Sequence, residues 1–220
     1  MARRAVSTPP ESKRRASYER AGSNETRRAL VQSAMALWRT QGYAETSVVD
    51  ICKAAGVSRA LFYFHFDGKE DILFEVGVMS TLAAQKVIRA HLDRAYELDV
   101  VIKAALQAME RSMSRNPREL IVEAILVGYR QQYRVGPGEK ATGATGMFDE
   151  LFTSAQADGQ LPPNVDVGHL SFVAQTLVNE GTRHWAAGGY GDRSFSDVVA
   201  ADVALLLAGA RASAPSKGKK

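Results

Sequence analysis

Residues Thr46–Lys69 read TSVVDICKAAGVSRALFYFHFDGK, and this stretch decides the fold. Ser47 and Asp50 have the spacing of an N-terminal capping box, and apolar residues then recur at helical spacing. Gly56 follows, and because glycine adopts a positive φ at little cost, the chain can turn sharply there. Ser58 can cap a second helix. The stretch therefore predicts helix, tight turn, helix, the unit that places its second helix in a DNA major groove.

The second helix is predicted over 59–66. Phe62 and Phe66 are four residues apart and are expected to face inward. The residues left to face outward are Arg59, Ala60, Tyr63 and Phe64. Asp67 and Glu70 have the spacing of another capping box, which predicts a new helix there. An ordinary helical hairpin shows the same helix–glycine–helix pattern, so this pattern leaves DNA binding and plain packing open.

The segment before this stretch adds a third helix, predicted over 25–41. Gly42 ends it, and Tyr43 can pack back on Trp38. The whole block 26–73 resembles the DNA-binding domain of the tetracycline-repressor (TetR) family. The residues that match are Gly42-Tyr43, Thr46-Ser47-Val48, Asp50-Ile51, Ala54-Ala55-Gly56-Val57-Ser58, Phe62-Tyr63, His65-Phe66 and Lys69-Glu70.

The resemblance implies that the family's DNA-contact roles fall on Tyr63, His65 and Lys69. Tyr63 and His65 would donate hydrogen bonds to phosphates, and Lys69 would bring a charge beside a helix N-terminus, itself an anion site. His65 could instead be a core histidine, but its helical neighbours favour an exposed rim. Arg59 is the candidate for reading a guanine edge. The full predicted DNA-binding set is Ser47, Ser58, Arg59, Ala60, Leu61, Tyr63, Phe64, His65 and Lys69.

Two residues of the second helix depart from the family's pattern. Leu61 stands where the family often has a small threonine, and Phe64 stands where polar residues are frequent. A hydroxyl contact is therefore lost, and apolar contact with thymine methyl groups is expected instead.

Composition and charge limit the kinds of protein to which the chain can belong and the compartments in which it can work. The chain has 220 residues, 45% of them hydrophobic, with a formal net charge of +4. Residues 1–28 carry eight Lys and Arg residues against three Glu residues. Residues 1–22 are predicted to be a disordered basic arm. This arm is expected to reach the DNA backbone or minor groove, or else to be a solubilising tail. The single cysteine, Cys52, fits a reducing compartment and is expected to pack inward. With no apolar run of about 20 residues and no apolar leader, the expected location is cytoplasmic and nucleoid-associated, without a membrane partner.

After Lys69 every predicted element is helical. The predicted helices cover 70–92, 99–115, 117–133, 139–157, 166–187 and 196–211. The first of these would link the two domains. The last helix is apolar around most of its circumference. One of its faces is therefore expected to pack on the core of its own chain, and another on a partner. The resemblance likewise implies a homodimer through the last two helices, 166–187 and 196–211.

The predicted fold class is all-α. An N-terminal three-helix helix-turn-helix DNA-binding domain covers 23–70, and a C-terminal helical effector-binding and dimerisation domain covers 71–212, followed by a disordered basic tail over 213–220. The effector pocket is expected to be apolar and to be lined by Met109, Met113, Tyr129, Tyr133, Phe148, Phe152, Gln175 and Asn179, with Glu180 as a further polar candidate. Each aromatic or methionine among these could equally be plain core.

The leading interpretation is a dimeric transcriptional regulator, a repressor released from a palindromic double-stranded DNA operator by a small apolar molecule. The alternative is a helix-turn-helix adaptor that binds no ligand and acts through protein partners. An enzyme is not expected, because the chain contains no GxGxxG, P-loop, GxSxG or HExxH string. No cofactor or metal is expected, since the four histidines lack metal-ligand spacing.

Overall fold

The structure, a computed structural model, describes residues 11–134 and 146–212, and of residues 11–21 and 131–134 it describes the backbone alone. These described residues form nine helices and no strand, so the predicted all-α class is confirmed. The helices are α1 (Glu11–Gln41), α2 (Val48–Ala55), α3 (Arg59–His65), α4 (Lys69–Leu92), α5 (Leu98–Met113), α6 (Arg118–Arg134), α7 (Asp149–Ala157), α8 (Val167–Ala186) and α9 (Phe195–Ala212).

The chain divides into two compact units, an N-terminal unit that ends at Ile72 and a C-terminal unit that begins at Leu73. The division falls within α4, which is one continuous helix from Lys69 to Leu92. Its first turn therefore belongs to the N-terminal unit, and the remainder belongs to the C-terminal unit. None of the helices in the described ranges is both long enough and apolar enough to span a bilayer.

The N-terminal unit is built around aromatic side chains that its three helices share. The buried residues include Trp38 of α1, Phe62 of α3 and Phe66, which directly follows α3. Ile51 and Cys52 of α2 are also buried. Burial raises the pKa of the Cys52 thiol, which keeps it protonated in an apolar packing role as expected.

The first helix is longer than the sequence predicted. The segment 11–22, assigned above to a disordered arm, continues α1 toward its N-terminus. Its Ala, Arg, Glu and Lys residues favour helix, and extending a folded helix needs no new nucleus, so helix formation is favourable there. Residues 1–10 of the predicted arm and the predicted tail 213–220 lie outside the described residues.

In the C-terminal unit α5 and α8 pack on α9, while α6 and α7 pack on α8. The buried residues form one continuous apolar core. The helix predicted over 139–157 is shorter in the structure: α7 begins at Asp149, whose carboxylate accepts a hydrogen bond from the Gly146 amide at 2.8 Å. This carboxylate bonds a backbone donor beside the first turn, where a negative charge also suits the helix dipole. Residues 135–145 lie outside the described ranges.

Gly181 sets the close approach of α8 and α9. A Cβ atom at this position would lie 2.5 Å from the Val199 Cγ2 atom and 3.1 Å from the Tyr190 hydroxyl. A real Cβ atom does not tolerate the first distance, so the two helices can approach this closely only because residue 181 is glycine.

We expect Gly181→Ala to lower the free energy of unfolding by about 1–3 kcal/mol, because the added methyl group overpacks the α8–α9 contact. The measurement is urea unfolding followed by far-UV circular dichroism. Gly128→Ala in α6 is the matched control: its Cβ meets nothing within 4 Å, and alanine in a helix interior should stabilise the protein by about 0.5–1 kcal/mol. Equal stability of the two variants would contradict this packing account.

Candidate nucleic-acid interface and ligand cavity

Both ends of α2 are closed by the residues that the sequence singled out. The Ser47 amide donates to Asp50 Oδ2 at 2.9 Å, and the Asp50 amide donates to Ser47 Oγ at 3.2 Å, so the predicted capping box is present. The Ser47 hydroxyl also donates to Asp50 Oδ2 at 2.6 Å, and this bond together with that from the Ser47 amide holds the pKa of Asp50 below its usual value, so the carboxylate stays ionised at neutral pH. At the other end Gly56 adopts φ 67°, and the Val57 amide donates to the Cys52 carbonyl at 3.0 Å. This is the Schellman arrangement, which turns the chain sharply into α3.

Ser58 caps α3, since its hydroxyl accepts a hydrogen bond from the Leu61 amide at 3.1 Å. Phe62 is buried against the core, while the opposite face of α3 is open. Phe64 is 75% exposed, Tyr63 49% and Leu61 38%, and Arg59 and Ala60 are also exposed. The outward face of α3 is therefore mostly apolar and aromatic, with one fixed cation at its N-terminal end.

The far end of α3 is held by an arginine of α1. The Arg27 Nη1 atom donates to the His65 carbonyl at 3.1 Å, and its guanidinium lies 4.4 Å from the centre of the Phe66 ring. The contact satisfies one of the carbonyls that a helix leaves open at its C-terminus. Arg27 therefore fixes α3 relative to α1 and leaves the exposed face of α3 unobstructed.

The structure corrects the expected role of His65. Its ring is half-buried between Phe64 and Phe66, and its Nε2 atom is buried with no hydrogen-bond partner among the described residues. This nitrogen does not lie on an exposed rim, because it has no contact with solvent. The core-histidine alternative therefore fits His65 better than a phosphate contact through Nε2.

Lys69 is also placed differently from the expectation. Its Nζ atom donates to the carbonyls of Tyr43 at 2.8 Å, Thr46 at 2.9 Å and Ala44 at 3.4 Å. An ammonium group has three N–H donors, so these three carbonyls use all of them. The ammonium also lies 4.4 Å from the centre of the Tyr43 ring. Lys69 thus holds the turn between α1 and α2, and with it the capped N-terminus of α2.

The start of α4 shows a related difference. The predicted capping box paired Asp67 with Glu70, but the Asp67 amide donates to the Asp71 carboxylate at 2.9 Å. The helix begins at Lys69, two residues after Asp67, so the carboxylate one position further along is the one that reaches back.

We expect Lys69→Met to destabilise the N-terminal unit by about 1–3 kcal/mol, because three carbonyls lose a charged donor. A Trp185→Phe background leaves Trp38 as the sole tryptophan, so its fluorescence during urea unfolding reports this unit alone. Lys53→Met, an exposed lysine on α2, is the matched control. If Lys69→Met unfolds like the control but flattens the salt dependence of DNA binding by about 0.9 in log–log slope, the phosphate role is right instead.

The C-terminal unit contains a cavity of about 460 Å³. Its walls come from α4 after Ile72, from α5, α6 and α8, and from the start of α7. The described residues that line it are Phe74, Val76, Gly77, Val78, Ser80, Thr81, Met109, Met113, Asn116, Leu120, Ile121, Ala124, Ile125, Gly128, Tyr129, Gly146, Asp149, Gly168, Ser171, Phe172, Gln175, Asn179 and Thr182. This volume and the mostly apolar lining are typical of small-molecule sites.

The structure brings together five of the residues predicted to line a pocket, namely Met109, Met113, Tyr129, Gln175 and Asn179. Phe148 and Phe152 do not line the cavity. Their rings stack at 5.3 Å and are wholly buried in the core beside it, so the plain-core alternative holds for both. The Tyr133 side chain lies outside the described part of the chain, and Glu180 is exposed and paired with Arg183.

Sequence reasoning missed the contribution of α4 and of small residues on α8. Val76, Gly77 and Ser80 line the cavity, although the α4 pattern indicated a linking helix. Ser171 and Thr182 also line it, and their helical spacing from Gln175 and Asn179 was the available signal. Within the described ranges, no cluster of His, Cys, Asp or Glu has the arrangement of a metal site.

A capped α2, a glycine turn and an α3 with an open face define a helix-turn-helix DNA-binding domain. Residues 30–76 match the family model described as "Bacterial regulatory proteins, tetR family". The N-terminal unit of the chain is therefore a DNA-binding domain of the tetR-family type.

Individual relatives agree with this assignment. The HTH-type transcriptional regulator AcrR of Shigella flexneri is 29% identical over 110 residues, which are 47% of this chain and 49% of AcrR. The HTH-type transcriptional regulator SrpR of Pseudomonas putida is 23% identical over 172 residues, 74% of this chain and 78% of SrpR. The matched segment thus spans only about half of AcrR. These proteins are transcriptional regulators and not enzymes, as expected for this chain.

The fold of the whole chain also has solved counterparts. The structure of Thermus thermophilus FadR, a TetR-family transcriptional repressor in complex with lauroyl-CoA, superposes with a TM-score of 0.69. It is 22% identical and covers 83% of this chain and 94% of FadR. At this identity the likeness establishes the arrangement of helices, and the ligand remains a property of FadR.

Proposed function

We propose that the chain is a homodimeric, ligand-responsive repressor that leaves a palindromic operator when a small, mostly apolar molecule occupies the C-terminal cavity. The observation that carries the proposal is that one chain contains both a helix-turn-helix with an open α3 and a lined cavity. Helix α4 lines that cavity and begins in the N-terminal unit. The action would take place in the cytoplasm, where the operator is found.

The exposed face of α3 supports a particular way of reading DNA. Arg59 is its one fixed cation, suited to the O6 and N7 atoms of a guanine. Leu61 and Phe64 offer apolar surface to thymine methyl groups. Tyr63 offers a phenolic donor to a phosphate, which positions the helix without reading sequence.

These roles separate in two variants. Tyr63→Phe removes one donor and keeps the ring, so operator affinity should fall by about 1 kcal/mol, nearly equally for good and poor operators. Arg59→Ala should cost about 1–3 kcal/mol and relax discrimination at one base pair. The measurement is fluorescence anisotropy at fixed salt on a set of single-base operator variants. A changed base preference in Tyr63→Phe with an unchanged one in Arg59→Ala would show that α3 docks differently.

The outer side of α9 supports dimerisation. Leu205 is 74% exposed, and the small residues Ala201 and Ala208 are exposed on the same side. Val203, by contrast, is buried in the core of its own protomer. A large exposed leucine flanked by small residues gives another copy of α9 a surface against which it can pack closely, and such surfaces mark interaction sites.

We expect Leu205→Glu to give a folded monomer, because the substitution charges the proposed interface and leaves the core intact. Sedimentation velocity at micromolar concentration is the measurement, with circular dichroism as the check on folding. Val198→Thr, a polar change at a half-buried position near the start of α9, is the milder control and should remain dimeric. A wild-type protein that sediments as a monomer would remove the dimer from the proposal.

The coupling between ligand and DNA would run through α4. A ligand that favours one position of the α4 wall shifts the population of the conformation that binds DNA, provided that it binds the two conformations unequally. The lauroyl-CoA complex of the Thermus thermophilus FadR supports an effector for this fold. The alternative, an adaptor without a ligand, gives no reason for a cavity of this size.

Selection of binding sites from random DNA tests the proposal. The purified protein should enrich sequences with two inverted half-sites whose centres are one helical turn apart, or a multiple of it. A thermal-shift screen of small molecules then separates regulator from adaptor, since an effector should raise the unfolding midpoint and lower operator affinity. Failure to enrich any sequence would contradict the DNA-binding claim, and an operator complex indifferent to every stabilising compound would favour the adaptor.

A further inference from the structure

One wall of the cavity is a polar stripe on a single face of α8. Ser171, Gln175, Asn179 and Thr182 all line it, and their spacing of four, four and three residues places them on one helical stripe. The walls from α5 and α6 are largely apolar, with Met109, Met113, Leu120, Ile121, Ala124 and Ile125.

The hydrogen bonds of this wall fix which way its amides point. The Met147 backbone N–H donates to Gln175 Oε1 at 3.1 Å, and a backbone N–H can only donate. The Gln175 Nε2 atom therefore donates to Asn179 Oδ1, at 2.9 Å. Asn179 is left with its Nδ2 group, two donors with no acceptor among the described residues. Because Asn179 lines the cavity, its Nδ2 group can donate a hydrogen bond to an oxygen atom of a ligand.

The two hydroxyl groups of the stripe are buried. Thr182 Oγ1 donates to the Val178 carbonyl at 2.7 Å, so it offers the cavity only an acceptor, three residues from Asn179. Ser171 is 2% exposed, and its Oγ atom is buried without a hydrogen-bond partner in the described part of the chain. A buried hydroxyl left without a partner costs about 1–3 kcal/mol, which a ligand hydrogen bond would recover.

The charge of the lining residues determines whether the cavity can bind an anionic or an uncharged ligand. Of the described residues that line the cavity, only Asp149 is charged, and none is basic. A carboxylate or phosphate buried here would face that negative charge, and none of the described lining residues offers a cation to pair with it, which is strongly unfavourable. An uncharged oxygen, such as that of a hydroxyl group, meets no such penalty.

We propose that the cavity takes an uncharged, elongated molecule with an apolar body and two hydroxyl-type oxygens, one bound by Ser171 and one by Asn179 with Thr182. Ser171 and Asn179 are eight residues apart, about 12 Å along a helix, so one polar group cannot reach both. The molecule lies along α8 with its apolar side toward α5 and α6. This assignment rests on the proposed regulator function and names the chemical class of its effector.

Three ten-carbon probes test the assignment: 1,10-decanediol, 1-decanol and decanoate, each titrated into the full-length protein at pH 8 by isothermal calorimetry. The diol should bind about 3- to 10-fold more tightly than 1-decanol, the equivalent of one further neutral hydrogen bond. Decanoate, fully ionised at this pH, should bind at least about 10-fold more weakly than 1-decanol.

Two variants locate the contacts. Ser171→Ala and Asn179→Ala should each remove the advantage of the diol over 1-decanol, because each deletes the group proposed to bind one of the two oxygens. Thr153→Val on α7 is the matched control, since Thr153 Oγ1 also donates to the carbonyl four residues earlier but is exposed and does not line the cavity.

Tighter binding of decanoate than of 1-decanol would overturn the assignment. The assignment would also be overturned if the Ser171 and Asn179 variants kept the control's preference for the diol over 1-decanol. Failure of either alcohol to bind up to its solubility limit would overturn it as well. Operator affinity without any alcohol, measured on the same preparations, reports the regulator function separately. It should be equal in the wild-type protein and in Thr153→Val, because Thr153 lies neither on α2 or α3 nor in the lining of the cavity.

Discussion

The backbone of Gly56 has φ 67° and ψ 30°, a left-handed conformation that costs an ordinary residue about 1–2 kcal/mol. The orientation of α3 relative to α2 depends on this position, because only residues 56–58 separate the two helices. Ser47 and Ser58 fix the starts of the two helices on either side. The DNA-binding surface is therefore set by local backbone chemistry before any packing is considered.

Long-range contacts then hold that surface in place. Arg27 closes the end of α3 from α1, and Lys69 ties down the turn that precedes α2. Both are cations that bond backbone carbonyls, so they position the reading helix without using any of its exposed side chains. Arg59, Tyr63 and Phe64 on the outward face of α3 therefore remain available for the proposed contacts with DNA.

Much of this was predictable from sequence because the signals are local. The capping box at Ser47, the turn at Gly56 and the inward spacing of Phe62 and Phe66 each depend on residues within a few positions of one another. Lys69 was predicted to meet phosphate because nothing nearby shows that it reaches carbonyls 23 to 26 residues away.

The cavity was harder to predict, because whether an apolar side chain faces a void or a core depends on how helices far apart in sequence pack. Met109 and Phe152 have the same inward spacing, yet one lines the cavity and the other is fully buried. The polar stripe on α8 is the exception. Gln175 and Asn179 lie four residues apart on this helix, and their shared face was a usable local signal.

The central claim is the proposal that occupancy of the C-terminal cavity shifts a dimer away from the conformation that binds DNA, which would change the spacing of its two recognition helices. The most direct measurement is the distance between nitroxide labels on α2, introduced as Lys53→Cys in a Cys52→Ser background, by double electron–electron resonance. On operator DNA the distance should be narrow and compatible with half-sites about 34–36 Å apart. A compound that raises the unfolding midpoint should move the distribution of the free protein away from that value. A distribution that is the same with and without such a compound would contradict the account.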